Sequence, residues 1–193
     1  MKKSLKKIIL ATLLTLTPLL AEECNGEYEN LSLIGLETSF NTLEVANDAT
    51  PVVVDKYNFS SAAIKLGAEM EYYRLFLSAR YYPISDFDYA YTLGAELQYL
   101  INFSESMNFF IGINTGVAEM KFLDSKNVSR TISDQYFGGD IGLNYYINRS
   151  FDWEVGVRVM GLNAENEIDN ITYTFDNIIS AYTSIIFKYQ ISD

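Results

Sequence analysis

The sequence predicts an all-β chain: an eight-stranded antiparallel up-and-down transmembrane β-barrel, preceded by a cleaved signal peptide. Three observations carry that prediction. The first 21 residues have the profile of an export leader, and from about Ile34 onward apolar residues recur with period two. Within eight such segments, every charge falls on the less apolar face. Period two places successive side chains on opposite faces of a sheet, so a charge-free face over a whole strand is a statement about what that face touches.

The leader has a basic start (Lys2, Lys3, Lys6, Lys7), an apolar run from Ile8 to Leu20, and small Ala21 before Glu22 and Glu23. Its apolar run falls short of the roughly 20 residues a membrane helix needs, and acids follow it at once. The expected division is therefore a signal peptide over 1–21 and a barrel domain over 22–193. Cys24 does not make a lipoprotein site, because Glu23 stands where a small residue is required. Removal of the leader leaves ten basic against twenty-five acidic residues, a net charge of -15. Such a chain is not expected to bind nucleic acid, whose partners carry basic surfaces. A single cysteine forms no internal disulfide, so cysteine usage does not fix the compartment.

The strands follow in order. In the first, Ile34, Leu36, Thr38 and Phe40 share one face and Gly35, Glu37, Ser39 and Asn41 the other. The second sets Ala62, Ile64, Leu66, Ala68 and Met70 against Ala63, Lys65, Gly67 and Glu69; the third sets Tyr73, Leu75, Leu77, Ala79 and Tyr81 against Arg74, Phe76, Ser78 and Arg80. In the fourth, Tyr91 through Tyr99 at odd positions oppose Thr92, Gly94, Glu96 and Gln98. The fifth opposes Phe109, Ile111, Ile113, Thr115 and Val117 to Phe110, Gly112, Asn114, Gly116 and Ala118. The sixth opposes Phe137, Gly139, Ile141, Leu143 and Tyr145 to Gly138, Asp140, Gly142 and Asn144. In the seventh, Trp153, Val155, Val157 and Val159 face away from Asp152, Glu154, Gly156 and Arg158. The last separates Ile179, Ala181, Thr183, Ile185, Phe187 and Tyr189 from Ser180, Tyr182, Ser184 and Lys188.

These segments are about nine to eleven residues long, the length a tilted strand needs to cross a bilayer. Rings gather near their ends: Tyr72, Tyr73, Tyr81, Tyr82, Tyr89, Tyr91, Tyr99, Phe109, Tyr145, Tyr146, Phe151, Trp153, Phe187 and Tyr189. They fit two interfacial girdles. Long polar loops are expected near 41–58, 83–88, 119–135 and 162–175, and tight turns near Glu71-Tyr72, Asn102–Ser106 and Asn148–Ser150. Long connections on one side and short ones on the other are the outer-membrane pattern. Inner-face glycines (Gly67, Gly94, Gly112, Gly116, Gly138, Gly142, Gly156) suit the crowded wall of a small barrel.

On these alternations, girdles and connections the chain resembles the small outer-membrane β-barrel family, the OmpA-type transmembrane domain and its single-domain relatives. The resemblance covers the whole mature chain and rests on pattern. It implies residence in the outer membrane of a Gram-negative envelope, contact with outer-membrane lipid and lipopolysaccharide, and insertion by the barrel-assembly machinery as a monomer. Family members end in a strand of outward apolar residues with an aromatic near the terminus. Ile185, Phe187, Tyr189 and Ile191 match, although Tyr182 lies on the other face and Ser192-Asp193 trail behind. No peptidoglycan-binding domain follows the last strand, so the anchoring role of longer members does not carry over.

The inner face collects Glu37, Glu69, Glu96, Asp140, Asp152 and Glu154 against Lys65, Arg74, Arg80, Arg158 and Lys188. Unpaired, each would cost several kcal/mol in a low-dielectric lumen, so a mutually paired structural network is expected. Eight strands leave an interior that side chains fill, here with Phe76, Phe110, Tyr146 and Tyr182 adding bulk. The chain has no histidine, which excludes Ser-His and Asp-His constellations and His-ligated metals. No catalytic residue, cofactor or metal is expected. Glu165, Glu167 and Asp169 match no Ca²⁺-loop spacing and read as a solvated loop. The expected function is non-enzymatic, in envelope structure or surface interaction. Two rivals stand beside it: a soluble exported lipocalin-like barrel around an apolar ligand, which inverts the two faces, and a narrow pore.

Overall fold

Eight antiparallel strands close into a barrel, each paired with its neighbours in sequence and β1 paired with β8. The structure is a computed structural model that describes residues 31–47, 53–83, 87–123, 129–168 and 171–190. The expected leader and Cys24 lie outside these residues, as does Ile191 of the C-terminal series. The strands are β1 (Leu31–Asn47), β2 (Val53–Glu69), β3 (Tyr73–Tyr81), β4 (Phe87–Asn102), β5 (Met107–Leu123), β6 (Ser129–Asn148), β7 (Phe151–Ile168) and β8 (Ile171–Tyr189).

Full closure leaves no exposed sheet edge where all eight strands run together, so backbone polar groups are satisfied without water. The alternation read from the sequence is the alternation of the wall. Ile34, Leu36, Phe40, Ile64, Leu66, Leu93, Ile111, Ile113, Phe137, Ile141, Val157, Ile179 and Ile185 are exposed outward. Glu37, Lys65, Arg74, Arg80, Glu96, Asp140, Asp152, Glu154 and Arg158 are buried within. A water-soluble barrel would carry the reverse arrangement.

Tight turns fall where expected. Between β6 and β7 the Asn148 carboxamide oxygen accepts hydrogen bonds from the backbone N–H of Ser150 (2.8 Å) and Phe151 (3.0 Å), an Asx turn that the residue type encodes. Met70 N–H donates to the Tyr73 carbonyl at 2.8 Å and closes the β2–β3 turn.

The opposite end corrects the expected loops. Seven strands run 16 to 20 residues, and only β3 has nine. The ladder of β1 with β2 continues to Asn47↔Val53, that of β5 with β6 to Leu123↔Ser129, and that of β7 with β8 to Ile168↔Ile171. Most of the stretches read as loops at 41–58, 119–135 and 162–175 are therefore strand. Polar side chains do not end a strand, because the ladder's hydrogen bonds join backbone groups whatever the side chains are. Tyr82 is a second correction, and Tyr146 follows its interior reading and not its girdle one. Tyr82 is buried against Phe59, ring centroids 5.6 Å apart, and Tyr146 turns inward to Asn108, so neither belongs to a girdle.

Candidate functional site

The interior is layered along the barrel axis. At the long-strand end lies an apolar cluster of buried side chains: Leu43, Phe59, Tyr82, Ala90, Ala118, Met120, Tyr136, Met160, Leu162 and Ile178. Two smaller apolar groups, Leu33 with Phe76 and Ile186, and Leu100 with Phe110 and Tyr182, lie deeper in the barrel. Buried with them are two ionic clusters that join strands far apart in sequence.

The larger cluster sets Glu37, Glu96 and Glu154 against Lys65, Arg80 and Arg158. Lys65 Nζ lies 2.8 Å from Glu154, 3.0 Å from Glu37 and 3.3 Å from Glu96. Arg158 donates to both Glu37 oxygens (2.9 and 3.2 Å) and to Glu96 (3.0 Å), spanning from β7 to β1 and β4. Arg80 donates to the same two carboxylates at 2.8 and 3.2 Å. Guanidinium forks suit this geometry, since one planar group can serve two carboxylates while a lysine acts as a point charge. Rings close the cluster: Tyr182 stacks under the Arg158 guanidinium at 4.3 Å, and Lys65 Nζ lies 5.1 Å from the Phe76 centroid and 5.0 Å from that of Tyr182.

The second cluster lies nearer the tight turns. Arg74 pairs with Glu69, its ladder partner, and with Asp152 across the lumen. Lys188 reaches Asp152 at 3.0 Å and Glu69 at 3.8 Å, with Tyr146 4.5 Å from its Nζ. Each cluster is neutral, three acids to three bases and two to two. Neutrality within each layer matters because attraction between buried charges offsets desolvation only at short range.

Asp140 belongs to neither cluster. It is opposite Arg158 in the β6–β7 ladder, but Arg158 turns away to Glu37 and Glu96. Among the described residues it accepts hydrogen bonds only from neutral groups: Tyr182 Oη at 3.1 Å and the amides of Gln98 and Asn114 at 3.5 Å. A further polar set, Ser39, Asn41, Ser61 and Ser180, is hydrogen-bonded around the Asn41 carboxamide.

The alternation of residue types announced which side chains face inward. It did not announce the apolar end layer: Leu43, Met120 and Leu162 lie in stretches that polarity had marked as loop, and Phe59, Ala90, Tyr136, Met160 and Ile178 flank the segments that the alternation had marked. Their inward phase is the signal that finds them: Met120 and Met160 continue the parity of Ala118 and Arg158. The side chains of Glu165, Glu167 and Asp169 lie outside the described residues.

No protein-family model and no curated relative matches the sequence. Solved structures do. Neisserial surface protein A superposes with a TM-score of 0.64 at 12% identity, over 82% of this chain and 97% of that one. The N-terminal β-barrel domain of Pseudomonas aeruginosa OprF gives 0.52 at 11% identity, over 84% and 100%. The outer membrane protein OprG of the same species gives 0.52 at 9% identity, over 84% and 97%. The likeness is one of fold, that of the small outer-membrane β-barrels.

Proposed function

We propose that the chain is an integral outer-membrane protein whose function is non-enzymatic, in envelope structure or in contacts made by its exposed strand ends. One observation carries the reading: the outer wall is apolar between rings while the charges are buried inside. Outward Tyr73 and Tyr81 bracket β3, and their ladder partners Tyr99 and Tyr91 continue both belts onto β4. Eight residue steps separate the two, about 26 Å of strand and about 20 Å of height at a tilt near 40°. That matches the order of the roughly 25 Å apolar band of such barrels. In water this surface would be a large contiguous apolar patch, which soluble monomers avoid.

The filled interior supports a stabilising plug over a pore, since the lumen carries paired ions and packed rings. Absence of histidine and engagement of the acids with bases support a non-enzymatic role. The proposal includes export through a leader over 1–21 and a mature chain starting at Glu22, with lipid and lipopolysaccharide against the wall, assembly by the barrel-insertion machinery, and a monomeric state.

Cell fractionation tests the location. The chain should stay with membranes until detergent releases it and should migrate differently in gels before and after boiling. Recovery in the soluble periplasmic pool would overturn the proposal. Mass measurement of the purified protein should show the loss of residues 1–21. In planar bilayers the folded protein should give no steady salt-dependent conductance, and a stable open channel would overturn the plug.

A further inference from the structure

At the long-strand end β2 continues where β3 stops. The β2–β3 ladder ends at Ala62↔Tyr81, while β2 runs on for nine residues, Val53–Ser61, laddered to β1. Pro83 accounts for the stop. Met70 N–H donates to the Tyr73 carbonyl, and in an antiparallel ladder such exchanges recur at every second residue, so even-numbered β2 residues turn their backbone groups toward β3. The next such residue beyond Ala62 is Ser60, and its partner by register is Pro83, which has no N–H to give. Tyr82 still donates to the Ala90 carbonyl of β4 at 2.9 Å, so the chain stays with β4 and leaves β2. Five residues join Tyr81 to Phe87, too few to accompany β2 as far as Val53.

A strand side with no neighbour presents backbone donors and acceptors that an incoming strand can pair with. On β2 these include the groups of Asn58 and Ser60, both at exposed positions. The β6 edge is different. Its ladder with β7 ends at Tyr136↔Leu162, and the next N–H on that side, that of Gln135, is taken by the Asp134 carboxylate at 2.7 Å. Among the described residues no side chain caps the Asn58 or Ser60 N–H in this way.

The surroundings of this edge specify what would pair with it. Asn58 and Ser60 lie outward, whereas Phe59 is buried against the Tyr82 ring and Tyr57 packs on the same apolar cluster. An added strand would therefore lay alternate residues beside that apolar rim and turn the others to the outside. Charge selects the outer set. Residues 41–61 and 82–90, which hold the β1–β2 arms and the β3–β4 connection, contain Glu44, Asp48, Asp55, Asp86 and Asp88 against Lys56. A basic strand is the electrostatic complement.

We propose that the β3 side of Val53–Ser61 receives an extended basic segment of another protein. The segment adds as a strand antiparallel to β2, its apolar side chains beside Tyr57 and Phe59 and its basic ones outward. A second copy of this chain does not fit the place. Two copies standing in one membrane are related by an axis along its normal, so their β2 strands run the same way across it and cannot meet antiparallel. The inference names a partner class for the contact role proposed above and rests on that reading.

The probe is a fluorescein-labelled peptide of alternating lysine and valine, as long as the nine-residue edge, titrated with the full detergent-folded chain and read by fluorescence anisotropy. Saturable binding is expected. Directly paired residues share a face, so the lysines sit opposite Asn58 and Ser60 and their N–H groups point at β2, while those of the valines point away. N-methylation at the lysines should weaken binding about tenfold or more, as the loss of strand hydrogen bonds does, and N-methylation at the valines should leave it intact. Glutamate in place of lysine should also abolish binding. Asn58→Pro removes an N–H on the open side without touching the ladder to β1, and should weaken binding while gel mobility before boiling stays unchanged. Slower hydrogen exchange at the Asn58 and Ser60 amides on peptide addition is the direct check. No saturable binding, or equal binding by the two methylated peptides, would overturn the proposal, and that comparison stands on the native chain even if Asn58→Pro does not fold. Fractionation decides the membrane location separately: a chain that stays with membranes yet ignores the peptide ends this inference alone.

Discussion

Replacing Arg158 by Met removes the charge that ties three strands together while keeping much of the stem's bulk. The guanidinium is 1% exposed and holds Glu37 by two bonds and Glu96 by one, with the Tyr182 ring beneath it. Without it the larger cluster has three acids and two bases. Breaking a buried pair by deleting one partner costs about 3–5 kcal/mol. Here Glu37 and Glu96 each keep Lys65 and Arg80, so neither carboxylate is stranded and the low end applies. A loss of about 3 kcal/mol raises the unfolding constant by about two orders of magnitude. With a urea slope of about 1–3 kcal/mol/M, the midpoint falls by about 1–3 M. Trp153, the one tryptophan of the chain, reports unfolding by fluorescence, and gel mobility before boiling gives an independent probe. Adding Glu96→Gln to Arg158→Met restores equal numbers of acids and bases, so the double variant should lose less than the two single losses together, by about 0.5–3 kcal/mol. An unchanged midpoint for Arg158→Met would refute the reasoning, because it would mean that the lumen is hydrated enough for water to replace the guanidinium.

Leu77 lies on the outward face midway between Tyr73 and Tyr81, and Leu77→Arg should cost about 2–4 kcal/mol in lipid vesicles, against about 0–1 for Tyr73→Arg at the belt. Equal losses at the two depths would remove the membrane from the account. A Cβ added at Gly138 would lie 2.0 Å from the Val159 carbonyl oxygen, a backbone atom that cannot swing aside, so Gly138→Ala should destabilise by about 1–3 kcal/mol or more. At Gly161 the nearest atoms are 3.4 and 3.6 Å away, and Gly161→Ala should stay within about 0.5 kcal/mol by the same urea titration.

The wall was legible in the sequence because period two leaves each residue only two choices of side. Lys65 and Glu69, Arg74 and Arg80, and Asp152, Glu154 and Arg158 fix the inner parity of three strands by charge alone, and the structure puts all of them on the inside or at its rim. Pairing partners were not legible. Asp140 and Arg158 are ladder neighbours that make no ion pair, while Lys65 and Glu154, 89 residues apart and not on adjacent strands, lie at 2.8 Å. Which base meets which acid depends on how long side chains cross a lumen only a few residues wide, and strand order says nothing about that reach. Strand ends were illegible for another reason. Polarity tracks the surroundings of side chains, whereas strand continuity tracks backbone pairing, and the two part company where a ladder continues past the apolar wall. The apolar layer at that end follows from the same fact: where closed strands continue past the apolar wall, their inward side chains still need a core, and Leu43, Met120, Met160 and Ile178 supply it. That core sits over the ionic layer and shields it from solvent at that end, which keeps the interior dielectric low enough for paired charges to attract.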